Sequence, residues 1–186
     1  MKKKMAAGLL AVVMIMTCVI GGSLAWLSAK SDTVVNTFTV GDINITLEEK
    51  ENLDLKMVPG SEILKDPKIT VKEGSEPCYV FLKVTEDNGL RSYISYDLNT
   101  NWKKLSEKVP GAPENIYYQE NINAADAAQQ LQVLAGDHVT VKDTVTKTMM
   151  STAKENPPKL SFQAAAVQSA NLELKDAWTE AKGLLA

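Results

Sequence analysis

The chain opens with a positive head, Lys2, Lys3 and Lys4, and then runs from Met5 to Gly21 without a charge. Small residues gather at Gly21, Gly22, Ser23 and Ala25, and Ser23-Leu24-Ala25 forms a small-x-small site with Ala25 and Trp26 on either side of the cut. This is the pattern of a secretory signal peptide over residues 1–25. The apolar run is at the short end for a bilayer span, which takes about 20 such residues. Lys30 and Asp32 give only a weak stop, so the membrane is expected to hold the chain only before cleavage. Cys18 invites a lipoprotein reading, but Thr17 is a poor residue to precede an acylated cysteine. Cys18 reads as part of the apolar run.

Export constrains what the remainder can fold into. Cleavage leaves 161 residues, enough for one domain with a real core over 26–186, and they carry a single cysteine, Cys78. A disulfide framework within the mature chain is therefore excluded, and packing must hold it together. Cys78 lies in the apolar stretch Pro77-Cys78-Tyr79-Val80-Phe81-Leu82 and reads as a buried thiol, with an intermolecular disulfide as the alternative. Loss of three lysines takes the formal charge from −3 to −6, and no basic patch remains, which argues against nucleic acid as a partner.

Strand patterns dominate. Val34 to Val40 and Ile43 to Leu47 are rich in branched and aromatic residues, with Gly41-Asp42 between them. In the second, Ile43, Ile45 and Leu47 share one face, as in a half-buried strand. Val58-Pro59-Gly60-Ser61 signals a turn, and Lys68 to Val71, Cys78 to Thr85, Tyr93 to Leu98, Ile116 to Tyr118, His138 to Val141 and Lys159 to Ser169 read as further extended pieces. Asn123 to Leu134, with Ala124, Ala125, Ala127, Ala128, Leu131 and Leu134, has a helical pattern. Asp176 to Lys182 reads as a short C-terminal helix with Asp176 at its start and Gly183 past its end. The sum predicts an all-β, two-sheet sandwich with short helical insertions.

Gly21-Gly22-Ser23-Leu24-Ala25-Trp26-Leu27, followed by Asn36-Thr37-Phe38-Thr39-Val40-Gly41-Asp42-Ile43-Asn44-Ile45, resembles the start of the TasA/CalY-like (camelysin-like) proteins. These are exported biofilm-matrix proteins of Gram-positive bacteria, processed by a dedicated signal peptidase. The usual pattern is Gly-Gly-Thr-x-Ala-x-Phe, so Ser23 and Leu27 are mild departures. The likeness continues at Val58-Pro59-Gly60, Lys65-Asp66-Pro67 and Ala166-Val167-Gln168, while Asp87 to Pro158 adds almost nothing.

The resemblance implies a jelly-roll sandwich and a secreted subunit of extracellular or biofilm-matrix fibres. It implies that the new N-terminus of one subunit adds a strand to the next. Carried onto this chain, that places the donated region at Trp26 to Val40, with residues 26–37 as the exchanged part and Val34, Asn36, Phe38 and Val40 as the assembly strand. An alternating segment of this kind can fill an open sheet edge. A contact of this kind is head-to-tail and does not close, giving a homopolymer. The other reading makes Val34 to Val40 the first strand of its own subunit.

Some relatives have been labelled metalloproteases. This chain has one histidine, His138, so His-Glu-x-x-His and three-histidine zinc sites cannot be built, and no Gly-x-Ser-x-Gly elbow is present. Glu48, Glu49, Glu51 and Asp54 make a local acidic cluster without a calcium-loop pattern. The expectation is no catalysis, no cofactor and no metal. The alternative function is a monomeric cell-surface binding or adhesion module, with Trp26, Trp102, Trp178, Tyr117 and Tyr118 as a possible recognition patch.

Overall fold

Alternation along one long strand divides the core of the domain in two. In β4 (Ser75–Glu86), Cys78, Val80, Leu82 and Val84 point to one side and Phe81 to the other, and all five are buried. Apolar residues on both faces explain why this stretch reads as an unbroken hydrophobic run. The computed structural model describes residues 42–49, 57–87 and 89–186, which lie in a unit spanning Val40–Ala186.

β4 pairs with β10 (Leu160–Gln168) on one side and β7 (Ile116–Ala124) on the other, and β7 pairs with the short β6 (Lys103–Lys104), all antiparallel. The opposite layer is built from β1 (Ile45–Glu48), β2 (Glu62–Leu64), β3 (Lys68–Val71), β5 (Ile94–Ser95), β8 (Gln129–Gln132) and β9 (His138–Val141), in the orders β1-β3-β8 and β2-β9-β5. These two small sheets are one kinked layer. β2 runs on into β3 and β8 into β9, and the kinks are tied by Lys65 N–H to Asp137 C=O (2.8 Å) and Val133 N–H to Pro67 C=O (3.1 Å). The result is the β-sandwich that the strand pattern predicts, in the jelly-roll-like form that the family resemblance implies.

The inner faces meet in one cluster: Ile63, Ile69, Val71, Leu131, Val139 and Val141 from the kinked layer pack against Cys78, Val80, Leu82 and Val84. The second cluster lies outside the β4 sheet, where Phe81, Ile116, Tyr118 and Ala165 are covered by Leu105, Val109 and Ala112, by α3 (Leu174–Leu184) through Ala177 and Ala181, and by Leu185 just past its end. Alanines at these two helix positions let the backbone of α3 approach the sheet closely. Trp178 lies 5.7 Å from the Phe81 ring centroid at an interplanar angle of 47°, and Lys83 Nζ donates to the Leu185 carbonyl at 2.5 Å.

Two local expectations are corrected. Asn123 to Leu134 is not a helix: it holds the end of β7, an exposed turn and β8, with Leu131 opposite Ile69. Alanine favours helices only weakly, and pairing with β3 satisfies this backbone while burying Leu131. Gly183 lies inside α3 rather than past it. Two helices fall where the sequence reading placed none, α1 (Leu90–Tyr93) and α2 (Lys147–Glu155). The latter is started by Thr146, whose Oγ1 accepts from Met149 N–H at 3.2 Å.

Candidate functional site: a free strand edge and an end cleft

The predicted cleavage pair, Ala25 and Trp26, and the predicted assembly strand, Val34, Asn36, Phe38 and Val40, lie outside the described residues. What the described residues do present is the set of edges that such a strand could meet. β5 and β6 are edges of two residues each, and β6 is Lys103-Lys104; β2 is an edge of three, and β1 and β8 are edges of four. β10 is nine residues long, pairs only with β4 among the described residues, and reads Leu-Ser-Phe-Gln-Ala-Ala-Ala-Val-Gln. It has neither charge, proline nor glycine, the devices that usually blunt an edge.

Hollows flank this edge. One of about 330 Å³ is mixed in character, with Leu47, Pro67, Leu160 and Phe162 beside Glu48, Glu49, Lys65 and Ser161. Another of about 480 Å³ is mainly apolar, with Ile43, Ala166, Val167, Leu172 and Leu184 beside Gln168 and Glu180. Leu47 is 36% exposed and Leu184 67% exposed, so apolar surface stands open beside both ends of the strand.

A larger concavity lies elsewhere, at one end of the sandwich. This cleft of about 640 Å³ lies between the end of β4, the loop after β5 and the start of β7. Its wall is organised by the chain's one arginine. Arg91 Nε and Nη2 meet Glu86 Oε1 at 2.8 and 2.6 Å, the Tyr96 hydroxyl donates to the same oxygen, and the guanidinium lies 4.1 Å over the Tyr96 ring. Burial pushes the Glu86 carboxyl up, but the hydrogen bonds from Arg91 and Tyr96 and the Arg91 charge outweigh it and hold it below the usual glutamate range. Burial, and then the bond to Glu86, push the Tyr96 phenol well up. Asp97, Asn115 and Tyr117 complete the wall. No sequence pattern marked this network; the lone arginine among lysines was the available signal, because a planar guanidinium can grip a carboxylate and stack on a ring together.

The remaining sequence candidates are scattered. Cys78 is a free, fully buried thiol that burial pushes up to about 11. His138 has Nδ1 3.0 Å from the Gly136 carbonyl and Nε2 3.7 Å from Glu62. Glu49 is held by Lys65 at 2.9 Å, while Glu51 and Asp54 lie outside the described residues. Trp26 lies outside the described residues, and among the described residues the other four aromatics of the proposed patch do not come together. Trp102 is buried and donates to the Gln132 carbonyl at 2.8 Å, Tyr118 is buried, Trp178 packs on Phe81, and Tyr117 alone of these reaches the cleft.

A sequence model for the family described as "Camelysin metallo-endopeptidase" matches residues 1–159. No curated protein matches the chain, and no solved structure does. The family's description overturns the expectation that the chain has no catalysis. That expectation rested on histidine motifs, and a missing motif excludes only sites built from histidine; metals are also held by carboxylates and carbonyls. Among the described residues no three His, Cys, Asp or Glu side chains converge, so these residues do not fit a catalytic metal, and no step through one is derived from them.

Proposed function

The chain belongs to the camelysin metallo-endopeptidase family, and from that premise we propose that it is a secreted subunit that polymerises head to tail into extracellular or biofilm-matrix fibres. Family membership and the β-sandwich fold support a secreted structural or adhesion protein, and membership is consistent with export from a Gram-positive cell. In the proposed sequence of events, signal peptidase cuts between Ala25 and Trp26. The single domain over 26–186 leaves the membrane, and residues 26–37 with the rest of the Trp26 to Val40 region become available to a neighbour.

One observation carries this reading. The domain leaves a nine-residue, uncharged strand edge unpaired among the described residues, and the chain carries the uncharged, β-rich segment Val34-Val35-Asn36-Thr37-Phe38-Thr39-Val40 just ahead of that domain. An edge of this length and composition pairs with another chain unless something covers it.

The test is negative-stain electron microscopy, over time, of 26–186 beside a version lacking Trp26 to Val35. Filaments from the longer chain alone are expected. If neither version forms filaments across pH and salt, the assembly reading fails. A monomeric surface-binding module then takes its place, and the end cleft, with Tyr117, Asp97 and Asn115 on its wall, is the observation that favours that second reading.

A further inference from the structure

We propose that the cavity at the start of β10 binds a single fatty acid of medium chain length, with the hydrocarbon tail between the two layers and the carboxylate at Lys159. The inference stands apart from the assembly reading and from the end cleft. The cavity measures about 420 Å³, inside the range of roughly 300–1,000 Å³ that small-ligand sites occupy.

Its floor is core. Ile63, Ile94 and Val139, one from each of β2, β5 and β9, line it together with Leu90 of α1, and all four are buried. Leu160, the first residue of β10, forms part of the facing wall. The chain itself explains why the layers part here. Pro157 and Pro158 precede β10, and a proline has no N–H to offer a neighbouring strand, so the ladder with β4 does not run on past Leu160. Asp87 ties the rim to the floor: its N–H donates to the Lys159 carbonyl at 2.9 Å, and its carbonyl accepts Leu90 N–H at 3.0 Å. Backbone bonds therefore fix two sides of the cavity, and a pre-formed site loses little of its binding energy to ordering.

The apolar floor selects the tail, and charge selects the head. Lys65 and Lys159 border the cavity, and among the described residues no aspartate or glutamate does, although acidic residues outnumber basic ones in the chain by 23 to 20. Lys65 is already committed, with Nζ 2.9 Å from both carboxylate oxygens of Glu49. Lys159 is exposed, and its ammonium enters no hydrogen bond or ion pair among the described residues. One uncompensated cation at the mouth of an apolar cavity favours a tail that ends in a single negative charge. The tail leaves water for the floor while the carboxylate stays at the wet rim beside the ammonium. A two-chain lipid would leave most of its hydrocarbon outside a cavity of this volume.

The experiment titrates freshly purified 26–186 with monomeric decanoate, followed by calorimetry and by nuclear Overhauser contacts to labelled methyl groups. Decyltrimethylammonium, which has the same tail and the opposite charge, and anionic phospholipid vesicles serve as parallel probes. Saturable binding of decanoate at one site is expected, with contacts from its terminal methyl to Ile94 and Val139 and with the cationic probe weaker by about tenfold. In Lys159→Glu, a surface change whose fold is checked by circular dichroism, that preference should shrink or reverse. Failure of decanoate to saturate, contacts that fall elsewhere, or equal binding of the two probes by the parent chain would overturn the proposal. An unchanged preference in Lys159→Glu would overturn the assignment of the head group. Binding to vesicles without binding of monomeric decanoate would mean adsorption to a lipid surface and would overturn the cavity as the site.

Discussion

The seating of α3 on the outer face of the β4 sheet depends on Phe81 and Trp178, and the cost of removing either can be worked from their surroundings. Phe81 is fully buried beneath the helix, so Phe81→Ala removes a whole buried ring and leaves a cavity between Ala177, Ala181 and Tyr118. Changes of this type cost about 3–5 kcal/mol. For a chain of this size each kcal/mol lowers Tm by roughly 2–4 °C, so a fall on the order of 10 °C is expected. The ring–ring contact itself can be isolated by a double-mutant cycle with Phe81→Leu and Trp178→Leu. The 5.7 Å tilted geometry predicts a coupling of ~0.5–1.5 kcal/mol beyond the area buried. Urea denaturation followed by far-ultraviolet circular dichroism gives the four stabilities. A cost below about 1 kcal/mol for Phe81→Ala, with zero coupling in the cycle, would refute the docking of α3 on this face. It would also free Trp178 for the recognition patch of the alternative reading.

Three further outcomes follow from the end cleft and from the core. Glu86 titrates below its ordinary value of 4.5 in the folded chain, so its contribution is complete above that value and is lost as pH falls through the folded one. Urea midpoints taken from pH 7 down to 3 should drop less steeply in Glu86→Gln than in the parent; identical slopes would sink the assignment. Tyr96→Phe removes the hydroxyl that donates to Glu86 and should cost ~1.5–3 kcal/mol, a hydrogen bond to a charged group; a change within a few tenths of a kcal/mol in the same melts would mean that water replaces it freely. Cys78, buried and pushed up to about 11, should resist iodoacetamide at pH 8 in the native state and react on unfolding, and prompt native labelling would contradict the packing of β4.

The parts of the fold that sequence reading located are those where burial and periodicity coincide. Lys68 to Val71 and His138 to Val141 are strands at the expected residues, because their alternation buries Ile69, Val71, Val139 and Val141 on one side. The region after Asn123 is not legible as strand because its alanines carry helical spacing while Ala125, Ala127 and Ala128 stay exposed, and the decisive partner, β3, lies some 60 residues earlier. The kink that joins the two small sheets was invisible for a similar reason: it is a property of two strands held together at Pro67 and Val133, not of either alone. The end cleft was missed entirely, since Glu86, Arg91 and Tyr96 have no fixed spacing that chemistry demands. Catalysis is not legible from the absence of histidine and serine motifs, because the family description assigns an endopeptidase to a chain that lacks them.

β4 is also the strand on which folding must wait. Its two neighbours arrive from far along the chain, β7 some 40 residues later and β10 with Gln168 set against Cys78, 90 residues away. Both apolar layers meet at this strand, so neither can be completed from local contacts. A topology of this kind closes on the millisecond-to-second scale, orders of magnitude more slowly than a helical bundle. For the exported polypeptide proposed above, slowness is useful. The strand most prone to collapse cannot find its last partner until nearly the whole length has passed through, and only then does the outer edge of β10 come into being.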